Sequence, residues 1–197
     1  MELTSGVAYS ENRVQTIQNY VNNLKTNPTA IFAWHMPWVF PTVDELRNLY
    51  PYSPNTFVTN YEKYNDDRMV FYKAITDCVE KNIVTDDSFI YLIPTGTAIE
   101  NAMSSYMDEF DIYRDYSHVS DLGRVIAAYT WYCKLTGIKH LDEIQLDAIP
   151  KAFLKSTADK TQDRVLTEAE KLIIIESVNN ALANPMEWTQ SQYTAAP

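Results

Sequence analysis

The chain has 197 residues, 46% of them hydrophobic, and a formal net charge of -10 at pH 7. This length predicts one domain, or one domain with an appendage, and the hydrophobic content is enough for a buried core, which argues against disorder. The acidic balance argues against nucleic acid and anionic membranes as partners, because proteins bind both through basic surfaces.

The first part of the chain predicts a helix, a strand and a long loop. Ser10 is suited to cap a helix that ends before Asn27-Pro28. The run TAIFAWH has the length and composition of a buried strand ending near Trp34 and His35. Residues 36–60 are rich in aromatics and prolines, and a connection of this length is typical of a functional loop or lid.

A helix, a strand and a further helix are predicted next. Residues 61–81 carry an apolar face at helical spacing, and residues 88–94 (SFIYLIP) form a second buried strand. The segment TGTAIENAMSSYM predicts a helix capped by Thr95 or Thr97. The expected inward residues of the first of these helices are Tyr64, Phe71, Tyr72, Ile75 and Val79.

Residues 108–118 predict a polar loop, and a helix follows over about 120–135. Ser120 is its expected N-cap and Gly137 its stop signal. A last helix begins with a capping box of Thr167 and Glu170, and its four consecutive apolar residues predict burial on the main domain or on a partner chain. The inward residues of the helix over 120–135 are expected to be Leu122, Val125, Ile126, Tyr129 and Tyr132.

The alternation of helices and strands predicts an α/β fold with a parallel sheet covered on both faces. Only two strands are convincing, and two parallel strands make a poor sheet because edges and faces lack partners. We therefore expect residues 1–137 to be the later part of a larger α/β domain, and 138–197 to be a helical C-terminal extension packed on it. Cys78 and Cys133 lie in apolar helical patterns and are expected to be buried free thiols.

Asp115 and His118 form a D-x-x-H spacing in a turn that enters a helix. Residues three apart in such a turn can face each other, so the carboxylate can accept a hydrogen bond from the imidazole Nδ1 and leave Nε2 to act as a general base. The alternative is a capping Asp beside an exposed His. The position favours a site, since ligands of open α/β sheets bind in the loops beyond the carboxyl ends of the strands.

Three segments in order carry a wider likeness: IFAWHMPW, YLIPTGTAIENA and DYSHVSDLGRVIAAYTWYCKLTG. Together they resemble the later half of an SGNH/GDSL-type hydrolase, and most closely an uncharacterised branch of that superfamily. The likeness runs over about residues 4–137. It implies a three-layer α/β/α flavodoxin-like sandwich that is incomplete in this chain. It also implies that Asp115 and His118 are the Asp and His of a catalytic triad.

The chain departs from that family at the nucleophile. The resemblance implies a Ser in a Gly-Asp-Ser or Gly-Asn-Ser block, with a Gly-x-Asn-Asp block among the oxyanion donors, yet none of the four glycines begins such a block. Ser5 falls where a loop near the site is expected, but it lacks the context of a nucleophile. We interpret Ser5 as a substrate-side residue and expect the nucleophile block to lie outside this chain.

Trp34, His35 and Trp38 lie in WHMPW, where the topology predicts the mouth of a pocket. Aromatic faces suit sugar rings or acyl groups, and His35 can donate a hydrogen bond, so the segment is a candidate substrate-binding wall. Packing of a proline-rich loop is an equal alternative. We expect no metal site, because His35, Asp115 and His118 lack ligand spacing, and no cofactor.

The resemblance implies an ester hydrolase, with an O-acetyl group on a carbohydrate as the expected substrate. This chain alone is expected to be inactive, because it lacks the nucleophile. The alternative is a non-catalytic carbohydrate-binding or interaction module on the same fold. A third hypothesis completes the sheet with an N-terminal segment or an oligomer partner. A signal peptide upstream of this chain would make the protein secreted or periplasmic, and without one it would be cytoplasmic.

Overall fold

The computed structural model describes residues 11–23, 29–42, 67–115, 118–148, 154–155 and 162–195, and within them the protein is mixed α/β. The first elements are α1 (Glu11–Asn23), β1 (Phe32–His35), α2 (Arg68–Val79) with a π-helical turn (Glu80–Val84), β2 (Phe89–Ile93) and α3 (Thr95–Met103). The later elements are α4 (Glu109–Ile112), α5 (Asp121–Thr136), α6 (Glu143–Asp147), β3 (Leu154–Lys155), β4 (Asp163–Arg164) and α7 (Glu168–Ala183).

Strands β1 and β2 pair in parallel, with His35 opposite Ile93 and a shift of register between Phe32 and Ala33. The pairing extends one residue further, because the Met36 amide donates to the Ile93 carbonyl at 3.0 Å. The small parallel sheet expected from the sequence is thereby confirmed. Strands β3 and β4 form a separate antiparallel ribbon.

The helix ends confirm several sequence predictions. The Ser120 side chain caps α5 by accepting from the Gly123 amide at 3.2 Å. Gly137 follows α5 at a φ of 78°, a left-handed conformation that glycine adopts without the steric cost of a Cβ. Thr167 and Glu170 form the expected capping box of α7. The expected N-cap Ser10 lies outside the described residues.

Helix α3 corrects the prediction of a threonine cap. Its N-cap is Pro94, and Thr95 is already its first helical residue. The Thr97 hydroxyl instead lies 2.9 Å from the Tyr72 hydroxyl and donates to the Pro185 carbonyl at 2.5 Å. Tertiary partners, which a local pattern does not reveal, therefore take the hydroxyl away from the helix end.

Two further predictions about local structure need correction. The segment taken for a polar loop contains α4, which Asp108 and Asp111 stabilise as a capping box. Tyr132 of α5, which was expected to point inward, is 43% exposed, and its ring packs edge-to-face on Tyr129. The inward residues of α2 are buried as expected, whereas Tyr64 lies outside the described residues.

Two apolar clusters form the core of the described part of the chain. One packs α2 against β1 and the residues that follow β1, and the other packs α3, α5 and α7 together. Ile173 and Ile174 of α7 are fully buried, while Leu172 is 37% exposed. The segment after α7 lies on the end of α3, where the Thr189 amide donates to Asn101 Oδ1 at 2.8 Å. The division at residue 137 stays a prediction, although α7 shares its core with α3 and α5.

Cys78 and Cys133 both carry their thiols outside a disulfide, as expected, but only Cys133 is buried. Cys133 is buried and Cys78 is half-buried, and burial raises the pKa of the Cys133 thiol. Since the thiolate is the reactive form, we expect an alkylating reagent at pH 8 to modify Cys78 at least about tenfold faster than Cys133. Mass spectrometry after timed labelling measures both rates, and in denaturant they should become similar. Equal rates in the folded protein would contradict this arrangement.

Candidate functional site

The site predicted from D-x-x-H is a hydrogen-bonded Asp–His pair. His118 Nδ1 lies 2.8 Å and 3.0 Å from the two carboxylate oxygens of Asp115, and the His118 amide donates to Oδ1 at 2.9 Å. The carboxylate is buried, whereas the His118 side chain is 52% exposed. Arg114 Nε lies 3.5 Å from Asp115 Oδ2. This is the contact expected from the spacing, with the imidazole oriented by a buried acid.

A short hairpin holds the pair in place. Tyr113 and Val119 form an antiparallel bridge, and the Arg114 amide donates to the His118 carbonyl at 3.0 Å. The Ser120 amide donates to the Ile112 carbonyl at 2.8 Å, so the hairpin runs directly into the first turn of α5. The hydrogen bonds of the backbone thus bring Asp115 and His118 together at the amino end of a helix. We call residues 113–115 and 118–119 the site hairpin.

Gly123 lets the site hairpin approach α5. A Cβ at this position would lie 2.6 Å from the Ile112 carbonyl oxygen and 2.6 Å from Val119 Cβ, both closer than van der Waals contact allows. Gly123 therefore has a steric reason. It leaves room for the Ile112 carbonyl at the end of α4 and the Val119 side chain to pack against α5.

Sequence reasoning missed a buried ionic cluster beside the hairpin. Arg68, at the start of α2, binds Glu100 side-on through two bonds of 2.7 Å, Glu109 at 2.9 Å and the Tyr113 hydroxyl at 2.7 Å. Glu109 also accepts from the Thr42 amide and hydroxyl. The available signal was Glu100 itself, the one charged residue in the segment TGTAIENAM. We call Arg68, Glu100, Glu109 and Tyr113 the Arg68 cluster.

Burial shapes the ionisation of this cluster. Burial raises the pKa of Glu100. The Arg68 guanidinium lowers this pKa in part, and the nearby Glu109 carboxylate raises it further. Burial also raises the pKa of Tyr113, so its hydroxyl stays protonated and can donate. It does so to the Val39 carbonyl at 2.7 Å. The cluster therefore joins the site hairpin to the segment that follows β1.

The residues of the candidate binding wall, Trp34, His35 and Trp38, lie in two environments. Trp34 belongs to the core, and His35 packs against α5. Trp34 is 6% exposed and packs edge-to-face on Phe89 at 5.5 Å. The His35 ring lies 5.9 Å from Trp38 and 5.1 Å from Trp131. These contacts are those of packed aromatics, and the substrate-binding role of the three residues stays a prediction. Ser5 lies outside the described residues.

His35 is buried enough that its side chain is held neutral. Desolvation lowers the pKa of His35 to about 4, and its buried Nε2 has no hydrogen-bond partner. The indole nitrogen of Trp34 and the hydroxyl of Thr95 are buried without partners in the same way. All three lie at the carboxyl edge of the parallel sheet, because Trp34 and His35 are the last two residues of β1 and Thr95 comes two residues after β2.

His35 and the Asp–His pair lie at different heights along α5. His118 precedes the first residue of α5, whereas Trp131, the aromatic partner of His35, lies ten residues after Asp121. At 1.5 Å per residue that separation is about 15 Å along the helix axis. The structure thus brings Asp115 and His118 together, and it places His35 against another part of the same helix.

The described residues contain no group of three or more His, Cys, Asp or Glu side chains arranged to hold a metal ion. No helix among the described residues is both long and apolar enough to cross a membrane.

One solved structure matches the chain closely in fold. It is the crystal structure of a DUF4886 family protein from Bacteroides uniformis ATCC 8492, with a TM-score of 0.68 and 21% sequence identity. The match covers 94% of this chain and 62% of that chain, so the present chain spans less than two thirds of its structural relative. No curated protein matches the sequence.

The model of one sequence family covers most of the chain, including the segments that carry the parallel strands and the Asp–His pair. That family is described as a domain of unknown function, DUF4886, and it matches residues 3–144. The chain therefore belongs to the DUF4886 family.

Proposed function

We propose that this chain carries the general-base half of an ester hydrolase of the SGNH/GDSL type, on a three-layer flavodoxin-like fold. The observation that carries the proposal is the hydrogen bond between His118 Nδ1 and the buried Asp115 carboxylate. With Nδ1 engaged, Nε2 is the ring nitrogen that takes a proton from a hydroxyl nucleophile. The carboxylate keeps the ring in that tautomer and stabilises the imidazolium formed during the reaction.

The position of the pair supports the same chemistry. The carboxylate is shielded from water, which strengthens its interaction with a developing positive charge, while the imidazole is half exposed and within reach of a substrate. A charged pair that served only to stabilise the surface would gain little, since exposed ion pairs contribute about 0–1 kcal/mol. A buried acid holding an accessible base is the arrangement of a proton-transfer site.

The nucleophile is assigned to polypeptide outside this chain. No Gly-Asp-Ser or Gly-Asn-Ser block occurs in the sequence, and the family structure that the chain matches is substantially longer than the chain. In this proposal a serine from that further polypeptide attacks the ester carbonyl, His118 takes its proton, and His118 then protonates the leaving alcohol, which leaves an acetyl-serine. Water then attacks the acetyl-serine and gives a proton to His118, which returns it to the serine oxygen as acetate leaves. A carbohydrate O-acetyl ester is the proposed substrate, on the basis of the resemblance to the SGNH/GDSL superfamily.

The test uses a small chromogenic acetyl ester. We expect no turnover above the buffer rate by the 197-residue chain, and turnover by the complete gene product that contains it. In the active protein, His118→Ala should lower kcat by roughly 100-fold, the lower range for general-base catalysis. His140→Ala, at the exposed histidine after α5, is the matched control and should leave kcat unchanged.

Two outcomes would contradict this proposal. Turnover by the 197-residue chain that His118→Ala abolishes would show that the nucleophile lies within these residues, with Ser5 the first to test. A complete gene product that hydrolyses no ester but binds acetylated or free oligosaccharides would favour the second candidate, a non-catalytic carbohydrate-binding module. The absence of the nucleophile block from this sequence is the observation that favours that second candidate.

A further inference from the structure

The Arg68 guanidinium uses every one of its N–H groups. Nε and Nη2 donate to the two oxygens of Glu100, Nη2 also donates to the Tyr113 hydroxyl, and Nη1 donates to Glu109 and to the Phe40 carbonyl at 3.2 Å. Arginine has five such donors in a planar fork, so this site fits arginine and no other cation. The five bonds reach α3, α4, the site hairpin and the segment after β1.

Stability alone does not account for a buried ionic cluster of this kind. Burying two carboxylates and a guanidinium costs desolvation energy that their attraction only partly returns, and apolar residues of similar volume often serve stability as well. Ionic and polar networks differ from apolar packing in fixing one geometry. In this protein the fixed geometry belongs to the elements around the site hairpin, since Glu109 begins α4 and Tyr113 begins the hairpin.

Tyr113 connects the cluster to the Asp–His pair. Its hydroxyl accepts from Arg68 and donates to the Val39 carbonyl, which fixes the ring between α2 and the segment after β1. Its backbone pairs with Val119, and the next residue in the chain donates to the His118 carbonyl. Asp115 comes two residues after Tyr113. A shift of the Tyr113 ring is therefore passed to the backbone that sets the distance between Asp115 and His118.

We infer that Arg68 and Tyr113 are positioning residues for the Asp115–His118 pair, which they hold in hydrogen-bonding geometry through the base of the site hairpin. This inference rests on the proposed function in treating the pair as a catalytic base. The geometry it describes is measurable whether or not the protein hydrolyses esters.

The experiment measures the tautomer of His118 by NMR. Ring 15N shifts at pH 8.5 give the ratio of the Nδ1–H form to the Nε2–H form, and Asp115→Ala, which removes both carboxylate oxygens, defines the response to losing the contact. Tyr113→Phe removes one hydroxyl and both of its hydrogen bonds but keeps the ring. We expect it to lower the Nδ1–H ratio about threefold or more, the equivalent of one ordinary hydrogen bond.

Arg68→Lys is the second variant, because it keeps the charge but cannot reproduce the five-donor fork. It should lower the same ratio, while Arg124→Lys, at an exposed arginine paired with Asp121 on α5, should not. If Tyr113→Phe and Arg68→Lys lower the melting temperature while the ratio stays at the wild-type value, the cluster is only structural and the inference is overturned. A changed ratio in a protein without esterase activity would uphold the inference and overturn the proposed function.

Discussion

Replacing Gly96 with alanine is expected to destabilise the fold by about 3 kcal/mol or more, at or above the upper range for overpacking a core. A Cβ at Gly96 would lie 2.0 Å from the Pro37 carbonyl oxygen and 2.8 Å from the Pro37 carbonyl carbon. Both are backbone atoms, so no side-chain rotation relieves the clash. The Gly96 amide also donates to the Met36 carbonyl at 3.0 Å, which holds the two segments at this distance.

The measurement is the free energy of unfolding from urea titration, with Gly137→Ala as the matched control. Gly137 has open space around its Cβ position but a φ of 78°, so alanine there should cost only about 1 kcal/mol. A Gly96→Ala protein as stable as wild type would contradict the close approach of α3 to the segment after β1. That segment carries the partners of Tyr113 and Glu109, so the variant should also disturb the His118 tautomer.

Acidification is expected to destabilise the protein between about pH 6.5 and pH 4 through His35. The unfolded chain protonates this histidine near its ordinary pKa of 6.5, whereas burial lowers the pKa of His35 to about 4 in the fold. The contribution of the neutral His35 ring to the free energy of unfolding is therefore fully present above pH 6.5, and it is lost as the pH falls toward 4. The difference of about 2.5 between the unfolded and folded pKa values corresponds to about 3 kcal/mol of unfolding free energy.

Carboxylates also titrate in this range, so the comparison is between variants. His35→Gln, which does not titrate, should show a smaller loss of stability than wild type when the pH falls from 7 to 4, by up to about 3 kcal/mol. His140→Gln should keep the wild-type slope, because this histidine is exposed. Parallel pH profiles for wild type and His35→Gln would show that His35 is not held neutral by burial.

Local patterns predicted the elements well where the signal is short in range. The caps Ser120 and Thr167 are confirmed because a side chain that bonds an amide three residues away leaves its trace in the adjacent sequence. The D-x-x-H contact could be predicted for the same reason, since its two residues are three apart. The prediction that Thr95 or Thr97 caps α3 was wrong. The hydrogen-bond partners of Thr97 lie 25 and 88 residues away in the sequence, where a local pattern cannot indicate them.

The sequence by itself determined the Ser120 and Thr167 caps, the two parallel strands and the pairing of Asp115 with His118, since each depends on hydrogen bonds and apolar spacing within a few residues. Only the tertiary structure decided that Arg68 lies beside the site hairpin, and that His35 packs on Trp131, away from His118 along α5. The partners in those contacts are separated by tens of residues. Their meeting depends on how the helices and the sheet pack together, and no local pattern records that packing.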